Sequence, residues 1–104
     1  MTDKELLEKA AKAAGGEFLL DDFIPRFMSN DPGIEYEWDP LADDGDALRL
    51  AVKLKMNIVY NFDRVMVVFG NKNTTEHFYD LPQPTDRYAA TRKAIVRAAA
   101  TIGE

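Results

Sequence analysis

The stretch IEYEWDPLADDGDALRLAVKL, residues 34–54, changes its hydrophobic period half-way along, and this change restricts the fold more than any other feature of the chain. Up to Trp38 apolar and acidic side chains alternate, with Ile34, Tyr36 and Trp38 on one face and Glu35 and Glu37 on the other. That is the period-two pattern of a half-buried strand, and Asp39-Pro40 ends it. Beyond it Ala47, Leu50, Ala51 and Leu54 recur at helical spacing. A chain that must be strand and then helix within one short segment belongs to a mixed class.

Asp43, Asp44 and Asp46 sit just before and within the first turn of that helix. Carboxylates there cap free backbone N–H groups and face the positive end of the helix dipole, each contributing about 0.3–1 kcal/mol. Asp43 as N-cap with Asp46 three residues later has the form of a capping box with a short acid. Arg49, Lys53 and Lys55 supply base toward the other end. The alternative, a divalent cation held by Asp39, Asp43, Asp44 and Asp46, fits the spacing poorly. Calcium loops spread their oxygens over about twelve residues and close with a bidentate Glu, which DPLADDGDAL lacks. The expectation is three structural acids, no metal ligands and no cofactor.

The remaining elements follow the same logic. In MTDKELLEKAAKAAGG, Leu6, Leu7, Ala10, Ala11 and Ala14 form a helical stripe, Thr2 or Asp3 caps its start and Gly15-Gly16 stops it. This opening lacks the apolar core of a signal peptide or membrane span. EFLLDDFIPRFMSNDPG has no sustained period and is broken by Pro25 and by Asn30-Asp31-Pro32-Gly33, so a short strand plus a packed loop is expected. MNIVYNF alternates, RVMVVFG is apolar on both faces, and a tight turn at residues 61–64 joins them as a hairpin. TEHFYDL adds a strand after the polar turn Asn71-Lys72-Asn73. A last helix follows Pro82 and Pro84, starts at Thr85 or Asp86 and ends at Gly103. Its apolar stripe is Tyr88, Thr91, Ile95, Ala98, Ala99 and Ile102, and its other side carries Arg87, Arg92, Lys93 and Arg97.

These elements predict one α+β domain over residues 1–104, a two-layer sandwich with about three helices packed on one face of a small, mainly antiparallel sheet. At 104 residues and 46% hydrophobic content, a single modest core is the upper limit.

Charge is distributed unevenly. The net charge is −5, yet residues 17–46 hold ten of the eighteen acidic side chains against one base, Arg26. Such asymmetry marks either a solvated face that keeps the protein soluble or a surface for a charged partner protein, and for the latter Asp21, Asp22, Glu35 and Glu37 are the candidate contacts. A pI near 4.8 argues against nucleic acid, whose best candidate reader is the basic side of the last helix. Oligomeric state stays open between monomer and homodimer.

Enzymatic chemistry finds little foothold. There is no cysteine, so disulfides, thiolate metal sites and cysteine nucleophiles are excluded and the chain suits the cytosol. His77 is the single histidine and Ser29 the single serine, neither in a nucleophile context. Gly15-Gly16 ends a helix and so forms no phosphate loop. Asn73-Thr74-Thr75 matches the glycosylation sequon, which matters only after secretion. No catalytic residue is assigned. The less favoured enzymatic reading is a metal-dependent one built on carboxylates.

WDPLADDGDALRLAVKL, with LLEKAAKAAGG before it and DRYAATRKAIVRAAATIGE at the end, resembles a family of small uncharacterised phage and prophage proteins. The similarity covers about half the chain, with Asp39 where an Asn is more familiar, Lys55-Met56 where a Gly is expected, and residues 17–33 unmatched. It implies an accessory protein in the cytoplasm of a bacterial host. The resemblance implies a non-enzymatic interaction module that binds and inhibits a host or defence protein.

Overall fold

In the computed structural model the chain runs α1 (Asp3–Ala13), β1 (Gly16–Asp21), β2 (Ile24–Ser29), β3 (Glu35–Glu37), α2 (Asp44–Lys53), β4 (Asn57–Tyr60), β5 (Arg64–Phe69), β6 (Thr75–Asp80), α3 (Arg87–Ile102). The structure describes residues 2–60, 64–69, 75–80 and 86–104, the strand 75–80 by its backbone alone. The turn expected at 61–64 falls largely outside these residues. So do the Asn71-Lys72-Asn73 turn, the start of the sequon, Pro82, Pro84, Thr85 and the side chain of His77.

The fold is α+β, with antiparallel strands throughout. Among the described residues six strands form two three-stranded meanders, β1-β2-β3 and β4-β5-β6, where a single sheet was expected. The first packs against α1 and the second against α3, while α3 also contacts α1 and α2. One hydrophobic cluster joins all of these elements. Among the described residues no helix is long and apolar enough to cross a membrane.

α1 begins with a full capping box: the Thr2 hydroxyl accepts from Glu5 N–H at 3.2 Å and the Glu5 carboxylate accepts from Thr2 N–H at 3.4 Å. Donation to the Glu5 carboxylate from the Thr2 N–H, and from the Thr2 hydroxyl at 3.1 Å, holds that carboxyl below its usual range. Past Ala14, Gly15 takes φ 88°, a left-handed value that favours glycine, and turns the chain into β1.

The largest departure from the sequence reading lies in residues 16–29. In place of a short strand and a loop there is a six-residue hairpin, Gly16 opposite Ser29 and Asp21 opposite Ile24. Its turn is Asp22-Phe23, both left-handed at φ 49° and 67°, the combination of an I′ turn without the usual Asn-Gly. Pro25 is accommodated because its carbonyl accepts from Trp38 N–H at 2.9 Å. In an antiparallel strand a residue's N–H points to the same side as its carbonyl, so the missing donor falls where β3 ends.

Phe27 occupies the centre of the helix-facing side of this sheet, with ring centroids 5.3 Å from Trp38 and 5.4 Å from Tyr36. Trp38 is buried, but Ile34 and Tyr36 remain exposed, so only one end of the expected face reaches the core. In the second sheet Val65, Val67 and Phe69 alternate into the core.

The stripe expected on α3 also needs correction. Ile95, Ala98 and Ala99 are buried, whereas Tyr88 and Ile102 are exposed, and Ala94, Val96 and Ala100 are buried as well. A helix packed by α1, α2 and the second sheet buries more than one stripe, and small residues let its neighbours approach. The approach is closest at Gly103, where a Cβ would overlap the Lys9 carbonyl.

Candidate functional site

The acidic segment separates in space into two groups with different duties. The first surrounds the start of α2. Asp43 accepts the N–H of Asp46 at 2.8 Å through its side chain, while its own N–H goes to the Asp39 carbonyl at 2.8 Å. Asp46 therefore has no donor to collect at Asp43 and does not complete a capping box. Its carboxylate, buried to 8% exposure, accepts from Asp39 N–H at 2.9 Å and from Arg49 at 2.6 Å. This last hydrogen bond raises the Arg49 guanidinium above its usual range. Asp39 in turn accepts from Leu41 N–H at 3.2 Å, an Asx turn.

Asp44 pairs with Arg92 of α3 at 2.6 Å, and Arg92 also donates to the Leu41 carbonyl at 2.9 Å. Arg92 is thus a brace between α3 and the entrance of α2, only 18% exposed, and leaves the basic side of the helix. Every carboxylate once weighed as a cation ligand has a protein donor. Among the described residues no three His, Asp or Glu side chains group as metal ligands. Ser29 accepts from Asp31 N–H at 3.1 Å and shapes the loop before β3.

The second group lies on the outward face of β1-β2-β3. Cross-strand partners share a face, so the register places Glu17, Leu19 and Asp21 beside Ile24, Arg26 and Met28, and these beside Glu35 and Glu37. Three of the four candidate contacts, Asp21, Glu35 and Glu37, are therefore on one surface, and Asp22 stands in the turn at its end. Arg26, in their midst, pairs with Glu35 at 3.0 Å. What residue counting missed is the apolar component: Ile24 and Met28 are exposed among the acids, and Phe23 at the turn tip is 95% exposed. The available signal was the Asp-Asp-Phe-Ile run between two alternating segments, which lacks the Asn-Gly of a hairpin turn.

No protein-family model matches the chain, and no curated protein matches it significantly. The surface must therefore be read from its own chemistry.

A left-handed conformation costs an L-residue about 1–2 kcal/mol. At Asp22 the short polar side chain softens this, but at Phe23 nothing local does. An aromatic ring held in water on a strained turn, beside two carboxylates and an exposed Ile24, has the composition of an interface anchor.

Proposed function

We propose that the chain is a non-enzymatic protein-interaction module that docks on a basic partner through the Asp22-Phe23 turn and the outward face of β1-β2-β3. The observation that carries this reading is Phe23, 95% exposed in a left-handed conformation and framed by Asp21 and Asp22. Phe23 and Ile24 enter an apolar pocket of the partner, while Asp21, Asp22, Glu35 and Glu37 meet its basic rim. The rim charges set orientation and speed of encounter, and the buried ring supplies most of the affinity. Given the resemblance to phage and prophage proteins, the partner is a bacterial host or defence protein met in the cytoplasm, and binding inhibits it.

Affinity capture from host lysate tests this. A basic protein should be retained in stoichiometric amount, and Phe23→Ser should weaken its retention by at least about tenfold. Reversing Asp21, Asp22, Glu35 and Glu37 to Lys should slow association and remove its dependence on salt. Capture indifferent to all five positions contradicts the reading.

A further inference from the structure

Along α2, β4 and α3, four of the exposed large apolar side chains gather at one place. Leu48 and Val52 stand four residues apart on the outer side of α2, 60% and 69% exposed, while Ala47, Leu50 and Ala51 bury the inner side. Beside Leu48 opens a cleft of about 520 Å³, walled by Ala47 of α2, Ile58 and Tyr60 of β4, and Tyr88 and Ile95 of α3. Tyr60 is exposed and donates to or accepts from Thr91 at 2.9 Å, and Tyr88 is 72% exposed at the rim. β4 is an edge strand, paired with β5 alone among the described strands. An apolar patch next to an open strand edge is a contact surface.

The charges along α2 indicate what covers it. Asp43 and Asp44 stand at its start, paired within the chain with Arg49 at 3.9 Å and Arg92 at 2.6 Å yet more than half exposed and open to a second base, and Lys53 and Lys55, also exposed, stand at its end. A second α2 laid antiparallel across the first, with Leu48 opposite Val52, sets each acidic end against the other copy's basic end and opposes the two helix dipoles. A parallel arrangement would set like charges together. The stripe is therefore complementary to itself under a two-fold axis, the symmetry of an isologous dimer. We propose that α2 and the adjoining cleft form a homodimer interface, in which Leu48, Val52 and Tyr88 of each copy cover the other's cleft. The interface shares no residue with the Phe23 turn and does not depend on the function proposed for it.

Sedimentation equilibrium on the full chain tests the proposal. The expected mass is twice the 11.7 kDa of one chain. Leu48→Glu and Val52→Glu, at exposed positions, should each return the single-chain mass with an unchanged circular dichroism spectrum. Lys53→Glu should raise the dissociation constant by about tenfold, as should high ionic strength. If Leu48→Glu fails to fold, Lys53→Glu and the salt series still decide. A single-chain mass up to about 1 mM overturns the proposal, as does a dimer that ignores both substitution sites. So does a monomer that binds a fluorescent apolar dye in the cleft and loses it in Leu48→Glu, since the occupant is then a small ligand.

Discussion

Asp46 accepts the backbone N–H of Asp39 at 2.9 Å, and this one hydrogen bond ties the end of the first sheet's last strand to the first turn of α2. The carboxylate is buried, and its second oxygen receives Arg49 at 2.6 Å. Asp43, three residues earlier, supplies the helix cap, so two acids of the same type in the same turn perform separate tasks.

Removing the two acids therefore has unequal effects. Asp46→Ala should lose about 1–3 kcal/mol of stability, because it strands a partly buried donor and the Arg49 contact. Asp43→Ala should lose about 1 kcal/mol, the usual effect of an N-cap. Urea denaturation of the two variants measures the difference, and equal losses would contradict the assignment.

The strain in the hairpin turn separates stability from binding. Asp22→Asn combined with Phe23→Gly suits an I′ turn and should stabilise the fold by about 1–2 kcal/mol. The same variant should lose the captured partner. A rise in melting temperature accompanied by unchanged capture would remove Phe23 from the interface.

Helix packing at the C-terminus leaves no room for a side chain. Gly103→Ala overlaps the Lys9 carbonyl and should destabilise by about 1–3 kcal/mol through displacement of α3 from α1. Thermal unfolding of this variant should show the loss, with Ile102→Ala, on an exposed residue, as the milder comparison.

The Glu5 carboxyl provides a pH-dependent contribution of defined sign. Its folded pKa lies below the reference of 4.5, so its contribution is fully present above pH 4.5 and is lost as pH falls through and below that value. Glu5→Gln should flatten that part of the acid-unfolding curve and lower stability at neutral pH by the same contribution. An identical acid limb in both proteins would show that the capping box does not persist in solution.

How far the sequence could be read depended on the range of the interactions involved. Thr2, Asp43 and Asp86 each cap a helix by accepting from a backbone N–H three residues on, and such contacts are visible in a short window. The hairpin over residues 16–29 was hidden because Pro25 argued against a strand and Asp22-Phe23 carries no turn signature. Its proof is pairing, and pairing is decided by β3 and by the helix that covers Phe27. The acidic contacts were legible as a composition, but their common face was not, since face depends on register.

By itself the sequence determined the class, the three helices, the cap of α2 and a choice of two residues for each of the other caps, the alternating strands and the concentration of acid before α2. Periodicity and capping are local, and each segment carries its own signal. Only the tertiary structure decided that the strands divide into two meanders, that Arg92 braces Asp44 across 48 positions of chain, and that Phe23 stands in solvent while Val65 and Val67 do not. Those outcomes depend on which distant surfaces compete for the same burial, and no window along the chain contains both competitors.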